Sequence, residues 1–555
     1  MLAARMQQRA PPQQAQRRRA AGAAPAAAAP RLPARPTHWR RAVRTASTTD
    51  AGAPVGATAT APRPAGGEGA PAAAPAPAPG IGGDAFSWHR AWWPVAVESQ
   101  LDPSRPTAAM VLGVPLVIWR PAEGGWAVLE DRCPHRLAPL SEGRIEPSDS
   151  TLQCVYHGWR FDGSGACRDI PQIEDPKARA TACSSGRACA RSFPCQAKGG
   201  LLWVWMDAKS PPPPDAAPPV AEEIGREGWT LLGGDWFMRD LEYGFDTLHE
   251  NLHDPSHIPF THHGIMGNAR REIATPLGEI KTEAAPSAKG FRLWRDTAPF
   301  KIPSRMETVN NFVAPCLNST VQKTATGRTF MLQFYGVPVA PGKSKLFAGF
   351  VTNAKLPPLA RKLAGAFDWV FHLGQQVVLD SDAYLLHVQE RLLQASPAGG
   401  WRQSFYLPAT ADTGIITFRT WMDQVGGGSI PWPLGTDARL GPALPREVVM
   451  DRWAQHCRHC KSCRRAVTWI ERLRAACTAA AAVAAPVGAF ALLAAAAGAW
   501  PGAGAGAAGA GGWGPAAPLG LACLALAAAA LLARRALQRL WSRFHFTDYV
   551  HADVK

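Results

Sequence analysis

The sequence predicts an α+β protein in three parts: a small β-rich domain, a larger α+β domain with a mainly antiparallel sheet, and a C-terminal two-helix membrane anchor. Residues 86–207 contain short apolar runs separated by Gly, Pro and Asp, a pattern typical of a small β domain. Residues 221–455 mix helical and strand patterns. Two later segments are long, apolar and uncharged, as membrane-spanning helices are.

The N-terminal region predicts targeting rather than a folded domain. Residues 1–50 are rich in Arg, Ala, Gln and Pro and lack the apolar core of a secretory signal, which is typical of a mitochondrial or plastid transit peptide. Residues 51–84 form an Ala/Pro/Gly tract, expected to be a disordered linker. Residues 1–83 carry eleven Arg and two acids, a net +9, so +7 of the total +16 remains. That excess favours an acidic protein partner or an anionic membrane surface. We expect no nucleic-acid partner.

The β domain, residues 85–209, contains two short Cys/His motifs, Cys133-Pro-His135 and Cys154-Val-Tyr-His157. Two Cys on one iron and two His on the other are the ligands of a Rieske [2Fe–2S] cluster. A mononuclear zinc site takes the same residue types. The flanking sequences, CPHR and CxYHGW, favour the cluster. Four further cysteines lack metal-finger spacing and are expected to be free thiols, namely Cys167, Cys183, Cys189 and Cys195. Residues 178–191 are expected to form an insertion loop.

The α+β domain, residues 221–455, follows a Pro-rich linker at 210–220, expected to be stiff and extended. Strands of its sheet are expected at residues 291–294, 329–337 and 415–421. At residues 250–262 the sequence ENLHDPSHIPFTH places His257 and His262 after Asp254. Two imidazoles and one carboxylate form the facial triad of oxygen-activating Fe(II) sites. Two polar surface histidines are the alternative.

The spacing of the two histidines bears on this metal site. Residues five apart on a regular helix point about 140° away from each other. Pro259 disfavours helix at Ile258, so the backbone can bend there and the two rings can converge. The third ligand is expected from a helical segment at residues 377–390. Asp380 and Asp382 lie about 200° apart on a helix, so only one can face the site. We choose Asp382, with Asp380 as the alternative; acids at a solvated helix start are the non-functional interpretation.

Residues 456–463, HCRHCKSC, contain the C-x2-C pair Cys460 and Cys463. Neighbouring basic residues favour thiolates, which supports a redox pair acted on by a thioredoxin-like partner. A small zinc site is the second interpretation, using some of His456, Cys457, His459, Cys460 and Cys463. Reduced cysteines without a special role are the third.

Residues 475–499 and 516–533 are expected to span a membrane, and residues 534–555 to form a tail. Arg472 and Arg474 precede the first span and Arg534 and Arg535 follow the second, while the loop at 500–515 is uncharged. The positive-inside rule then places both ends of this hairpin, and the catalytic domains, on one side of the membrane.

Together these motifs resemble the pheophorbide a oxygenase family of plant, algal and cyanobacterial Rieske oxygenases. The resemblance covers residues 86–555 and rests on CPHRLAPLSEGR (133–144), CVYHGWRFDGSG (154–165), ENLHDPSHIPFTHHG (250–264), HCKSC (459–463) and the terminal hairpin. Residues 263–266 and 544–554 resemble the protochlorophyllide-associated envelope branch of this family.

The resemblance implies the ligands of a [2Fe–2S] cluster, Cys133, His135, Cys154 and His157. It also implies those of a mononuclear Fe(II), His257, His262 and Asp382. Asp254 matches the family's bridging acid, which connects a Rieske histidine of one subunit to an iron ligand of its neighbour and so implies a homotrimer. Glu250 and Asn251 match the residues behind the ligands. Where many family members have Met, this chain has His253, which we expect to be a surface variation rather than an additional ligand.

The implied function is a Rieske monooxygenase that uses ferredoxin electrons and O2 to oxidise a chlorophyll-related tetrapyrrole of the pheophorbide a, protochlorophyllide or chlorophyllide a class. The implied location is a plastid membrane, inner envelope or thylakoid, with the catalytic domains in the stroma. The alternative is a non-enzymatic redox sensor or electron-transfer subunit of the plastid import translocon, in which Cys460 and Cys463 are the working residues. The intact iron motif favours the enzyme.

Overall fold

The computed structural model describes residues 86–267, 269–299, 301, 306–355, 357, 367–397, 399–497 and 516–554. The predicted transit peptide and the linker at 51–84 lie outside these residues, as does the loop at 500–515. The described residues belong to one compact unit.

The β-rich part is built from eleven strands in three antiparallel sheets. Their orders are β2-β3-β4-β9, β5-β6-β7-β8 and β1-β11-β10. The strands are β1 (Trp92–Val97), β2 (Thr107–Val111), β3 (Val114–Trp119), β4 (Ala127–Glu130), β5 (Arg144–Ile145), β6 (Leu152–Gln153), β7 (Arg160–Phe161), β8 (Cys167–Asp169), β9 (Ser192–Phe193), β10 (Cys195–Lys198) and β11 (Leu201–Trp205). The predicted β domain is therefore confirmed.

The expected insertion loop at residues 178–191 is partly helical, so that expectation is wrong. Helix α1 spans Pro176–Cys183. Asp175 caps it by accepting a 2.7 Å hydrogen bond from the Ala178 N–H, and Pro176 occupies the first turn. An acid followed by Pro is a strong helix start that we overlooked. The four further cysteines of this domain are free, with the sulfurs of Cys167 and Cys183 3.7 Å apart.

The two domains share a core rather than being separated by a free spacer. The ring of Trp203 on β11 packs edge-on against Tyr335 of the large sheet, with centroids 5.1 Å apart. The Pro-rich segment has no regular structure, but it is fixed on both sides. Its Ala216 carbonyl accepts from the Trp92 indole at 3.2 Å and its Pro219 carbonyl from the Tyr335 hydroxyl at 2.8 Å.

The second part is an antiparallel sheet of eight strands covered by helices. Its order is β12-β19-β18-β17-β16-β15-β14, with β13 also paired to β19. The strands are β12 (Thr230–Leu231), β13 (Phe237–Leu241), β14 (Lys281–Ser287), β15 (Gly290–Arg295), β16 (Met306–Val313), β17 (Leu317–Thr324), β18 (Thr329–Ala340) and β19 (Lys343–Thr352). The helices are α2 (Phe245–Leu252), α3 (Ile258–Thr261), α4 (Asp368–Gln394), α5 (Trp401–Ser404), α6 (Thr413–Gln424) and α7 (Arg446–Val449). The strands expected at 291–294 and 329–337 lie within β15 and β18.

The strand expected at residues 415–421 is instead part of helix α6, so that prediction is wrong. Its β-branched residues favour a strand locally. However, Ile415, Phe418 and Met422 are buried on one face, at the three- and four-residue spacing of a helix. The burial of this face therefore outweighs the local strand preference and stabilises the helix.

Two apolar helices follow, α8 (Lys461–Ala496) and α9 (Ala516–Ser542). Both are long and apolar enough to cross a membrane. Only 22% and 28% of the most apolar 18-residue stretch of each helix is buried. They pack against each other at Gly488 and Gly520, where an added Cβ would lie within 3.0 Å of the partner helix. Such small residues let membrane helices approach closely.

Candidate functional site

The two Cys/His loops of the β domain have the same backbone turn. The Leu137 N–H donates to the Cys133 carbonyl at 2.8 Å, and the Gly158 N–H donates to the Cys154 carbonyl at 3.0 Å. Leu137 and Gly158 both have positive φ, +62° and +75°. Each loop therefore folds back on itself beside its cysteine.

The four candidate cluster ligands lie on these two loops. Cys133 and Cys154 are buried, whereas His135 is exposed and His157 half-buried, with ring centroids 4.5 Å apart. Burial, reinforced by the adjacent Cys154, raises the pKa of Cys133 to about 11. Both sulfurs can therefore be thiolates at neutral pH only if a bound cation compensates their charge. Buried sulfurs and outward imidazoles fit a [2Fe–2S] cluster of the Rieske type.

A second constellation lies on the α+β domain, where His257, His262 and Asp382 converge. Their candidate ligand atoms all lie within 4.8 Å of one another. His257 precedes and His262 follows the one-turn helix α3, and their rings lie 5.1 Å apart at 76°. Helix is present at Ile258, contrary to our expectation, because Pro is tolerated in a first helical turn. The expected convergence of the rings occurs because the helix is only four residues long.

The ring of His262 is oriented by Ser381, which the sequence analysis did not identify. Ser381 donates its hydroxyl proton to the Val378 carbonyl at 2.6 Å, so it accepts from His262 Nδ1 at 2.8 Å. Nε2 of His262 then carries a lone pair, and it faces the Asp382 carboxylate at 3.4 Å. Burial lowers the pKa of His262 to about 3 and raises that of Asp382 to about 6. A neutral imidazole facing a carboxylate oxygen suits a shared metal ion.

Asp254 lies behind His257. Its Oδ2 is 3.5 Å from His257 Nδ1, and its Oδ1 accepts from the Ser256 N–H at 2.8 Å. Burial alone would lower the pKa of His257, but Asp254 and Asp382 outweigh it and raise that pKa. Asp254 thus orients one candidate ligand from behind.

Asp380, the alternative third ligand, faces away from this site. Its carboxylate pairs with Arg239 at 2.5 Å and Arg452 at 2.6 Å, and the exposed fractions of these side chains are 0% to 2%. Arg239 also contacts Gln455 at 2.9 Å. Asp380 and Asp382 therefore point in different directions from the same helix. Asp380 belongs to a buried ion-pair cluster, whereas Asp382 belongs to the candidate metal site.

His253 is buried, so our expectation of a surface variation is wrong. Its Nδ1 lies 2.6 Å from the His249 carbonyl and its Nε2 lies 3.1 Å from the Asn318 amide. Its ring stacks on Phe418 at 5.4 Å. Both nitrogens are occupied, so His253 is a core residue and not an additional metal ligand.

A cavity of about 410 Å³ opens beside the three converging side chains. This volume lies in the range of small-molecule sites, about 300–1,000 Å³. Its apolar lining comes mainly from the sheet and from α4: Ile280, Leu293, Trp294, Phe330, Leu332, Phe334, Phe350, Val378 and Leu379. Arg295 also lines it, although no sequence motif marks that residue. Burial lowers the pKa of Arg295 to about 10, so it stays charged at neutral pH.

A second cleft of about 470 Å³ adjoins the same constellation. It shares Asp254, His257 and Asp382 with the first cavity. Exposed apolar side chains lie along or beside it: Phe260, Leu385 and Tyr406. The candidate metal site therefore borders two cavities.

Helix α2, which contains the start of the 250–262 motif, is stabilised by contacts of two buried acids. Glu250 pairs with Arg419 at 2.5 Å, and the Glu390 carboxylate accepts from the Gly244 N–H at 2.9 Å at the start of α2. Burial, reinforced by Asp246, raises the pKa of Glu390 to about 7 from its usual 4.5. The folded state thus binds this proton more tightly than the unfolded chain, and stability falls as the pH rises from 4.5 to 7.

We expect Glu390→Gln to increase the free energy of unfolding at pH 8 by about 2–3 kcal/mol, because the amide keeps the acceptor for Gly244 without a buried charge. At pH 5 the wild-type carboxyl is protonated when folded, so the advantage should largely vanish. Denaturant unfolding at both pH values measures this, with the exposed Glu227→Gln as control. An equal change in unfolding free energy at both pH values would contradict a raised pKa of Glu390 in the folded state.

The HCRHCKSC segment begins in a short π-helical turn and ends in the first turn of α8. His456, Cys460 and Cys463 meet His372 of α4, and all four are buried. His372 lies 84 residues before His456 and belongs to no sequence motif that would have marked it. His459, which we had included among the zinc candidates, is exposed.

Two protein-family models match the chain. A Rieske [2Fe–2S] domain matches residues 91–189, which include both Cys/His loops, and pheophorbide a oxygenase matches residues 312–399.

Known relatives align with most of the chain. A chloroplastic pheophorbide a oxygenase of Oryza sativa subsp. japonica is 35% identical, covering 70% of this chain and 75% of its own length. Protochlorophyllide-dependent translocon component 52 of Arabidopsis thaliana is 32% identical, covering 71% and 76%. Flavonoid 8-hydroxylase 2 of Ocimum basilicum is 34% identical, covering 68% and 74%. The chain belongs to the pheophorbide a oxygenase family and is a Rieske non-haem iron oxygenase.

Proposed function

We propose that this chain oxidises an acidic, chlorophyll-related tetrapyrrole, with ferredoxin as electron donor. The apolar cavity and the three converging side chains support an oxygenase for a large flat ring. His257, His262 and Asp382 would hold the mononuclear iron, and Cys133, His135, Cys154 and His157 the cluster. When bound, the iron supplies oxygen activation and the cluster supplies electrons.

The observation that favours an acidic ring is Arg295. Its Nη1 donates to the Thr297 carbonyl, and no carboxylate of the described residues raises its pKa. A charged guanidinium in an apolar cavity needs an anionic partner. The propionate side chain of pheophorbide a, protochlorophyllide or chlorophyllide a is such an anion. Arg295 would bind this carboxylate and orient the macrocycle.

A flavonoid is the second candidate substrate, because one relative is named a flavonoid 8-hydroxylase. A neutral flavone offers Arg295 no carboxylate. Oxygen uptake with pheophorbide a, its propionate ester and a neutral flavone distinguishes the two classes. Turnover of the flavone above both tetrapyrroles would contradict the proposal.

Arg295→Leu should raise KM for the acid by about 10- to 100-fold, the value of a lost charge-assisted hydrogen bond of about 1.5–3 kcal/mol. KM for the ester should change little, so the preference for the acid disappears. Steady-state oxygen uptake measures both constants. Arg292→Leu is the matched control, because Arg292 lies on the same strand, is exposed and pairs with Glu283. Loss of ester and acid turnover to the same extent would contradict a carboxylate contact.

Electron transfer between neighbouring subunits of a homotrimer is the second part of the proposal. The exposed residues Leu137, Val155 and Tyr156 surround the Rieske histidines with apolar surface. The second cleft beside Asp254 presents the exposed apolar residues Leu385 and Tyr406, and the exposed Phe260 precedes its lining residue Thr261 in the chain. Docking of the two Cys/His loops of one subunit into the neighbour's cleft would bury both surfaces and bring His135 or His157 to Asp254.

Subunit mixing tests this arrangement. Cys154→Ser removes a cluster ligand and His257→Ala removes an iron ligand, so each variant alone should be inactive. Mixed trimers contain interfaces that combine an intact cluster with an intact iron site, and we expect part of the activity to return. No recovery in trimers shown to be mixed would contradict transfer between subunits.

Asp254→Asn should slow reoxidation of the reduced cluster by about 10- to 100-fold, as expected when a partner behind a metal ligand is lost. The iron content should remain. Stopped-flow absorption in a single turnover measures the rate. Asp412→Asn removes the same charge from the same cleft and serves as control. A wild-type rate in Asp254→Asn would contradict the role of Asp254.

A chloroplast membrane location is consistent with the two apolar helices and with the names of the relatives, which are chloroplastic. Arginines near both outer ends of the hairpin support the part of the proposal that puts the catalytic domains in the stroma. In the stroma, the net positive charge of the chain after residue 83 would attract ferredoxin, which is an acidic protein. Protease treatment of intact plastids tests this orientation, because stromal domains stay protected behind the intact inner envelope.

A further inference from the structure

Four buried donor groups at the base of α8 remain outside the oxygenase site. They are His372 on α4, His456 in the π-helical turn, Cys460 at the start of α8 and Cys463 in its first turn. Their candidate ligand atoms all lie within 4.8 Å of one another. We propose that these four side chains bind one Zn²⁺ ion in a closed tetrahedral site.

The distances between the donors match such a site. His372 Nδ1 lies 3.4 Å from the Cys460 sulfur and 3.5 Å from the Cys463 sulfur, and His456 Nε2 lies 3.4 Å from the Cys463 sulfur. Zinc bonds of about 2.3 Å to sulfur and about 2.0–2.1 Å to nitrogen, at tetrahedral angles, separate sulfur from nitrogen by about 3.5 Å. One hydrogen bond cannot explain a single nitrogen at this distance from two sulfurs. One central ion can.

The ring of His456 has the tautomer that a metal requires. Its Nδ1 lies 2.5 Å from the Met238 carbonyl and must donate to it, so Nε2 carries the lone pair that faces the Cys463 sulfur. Phe237 stacks on the ring with centroids 4.5 Å apart and holds its orientation. Both contacts come from β13, an element separate from the four donors.

The donor set and its burial favour zinc with a structural role. The exposed fractions of His372, His456, Cys460 and Cys463 are 2%, 2%, 5% and 0%. Two thiolates and two imidazoles complete a tetrahedron, which leaves no position for O2 or substrate. Binding releases one proton from each thiol, so the ion's two positive charges are balanced by two thiolates. The same burial keeps both sulfurs from a thioredoxin, whose attack requires access.

A zinc ion here would join two elements that matter for the oxygenase. It would connect α4, which also carries Asp382, to α8, the first apolar helix. Lys461, next to Cys460, additionally donates to the Leu101 carbonyl of the β domain at 3.0 Å. The ion would therefore fix the membrane anchor to the helix that positions the iron site.

Elemental analysis of the full chain, purified in detergent and free of added metal, tests the proposal. We expect about one zinc per chain in addition to iron. Cys460→Ser and His372→Ala should lose the zinc, whereas the exposed His459→Ala should keep it. His257→Ala should also keep it, so the result is independent of the proposed oxygenase function. Wild-type protein without zinc, with iron bound to these residues, or with a Cys460–Cys463 disulfide would overturn the proposal.

Cobalt substitution in the wild-type chain keeps the test decisive if the variants fail to fold. Protein produced with Co²⁺ in place of zinc should show the intense visible bands of tetrahedral Co²⁺ and thiolate-to-metal charge transfer. Displacement by Zn²⁺ should remove both without changing the cluster spectrum. Wild-type protein that binds no cobalt, or binds it without thiolate bands, would contradict the four-donor site.

Discussion

His257→Ala is expected to reduce substrate-dependent oxygen uptake to the background rate and to leave the visible spectrum of the cluster intact. The substitution removes one of three converging donors on the α+β domain, whereas the cluster residues lie on separate β-domain loops. Oxygen uptake and absorption spectra of the same purified sample measure both effects.

The matched control is His253→Gln, because His253 lies in the same motif but both of its nitrogens contact protein atoms. We expect this variant to lose about 1–3 kcal/mol of stability, the cost of disturbing a buried polar group, and to keep its iron. Wild-type oxygen uptake in His257→Ala, or loss of iron in His253→Gln alone, would contradict the assignment of the site.

Asp380→Ala is expected to lower the free energy of unfolding by about 3–5 kcal/mol, because it leaves Arg239 and Arg452 buried without a counter-charge. Denaturant unfolding in detergent measures the loss. Asp382→Asn, two residues further along the same helix, removes no ion pair with a described Arg or Lys and should mainly lower iron content. The opposite pattern, with iron lost in Asp380→Ala and stability lost in Asp382→Asn, would exchange the two roles.

Contiguous motifs made the two candidate iron sites predictable from the sequence. The Cys/His loops and residues 250–262 each place several donors within a few positions, so local geometry leaves few alternatives. The helical angle between Asp380 and Asp382 predicted that only one of them faces the site, and their contacts agree with the choice of Asp382. The antiparallel sheet and the apolar hairpin were likewise predictable, because each has a characteristic pattern along the chain.

Residues that act from other segments were not predictable in this way. Ser381, Arg295 and His372 carry no motif, and only tertiary packing brings them to their sites. The helix at residues 413–424 was misassigned because β-branched residues favoured a strand, while the burial of one face decided for a helix. His253 was misassigned for a related reason, since a polar side chain in a motif can be buried when both its nitrogens find partners.

Iron content after anaerobic reconstitution tests the central hypothesis most directly. The cluster accounts for two irons per chain, which acid-labile sulfide counts independently. We expect one further ferrous ion per chain in the wild type, and only the two cluster irons when His257 and His262 are both replaced by Ala. A wild-type chain that binds no iron beyond its cluster would contradict an oxygenase built on His257, His262 and Asp382.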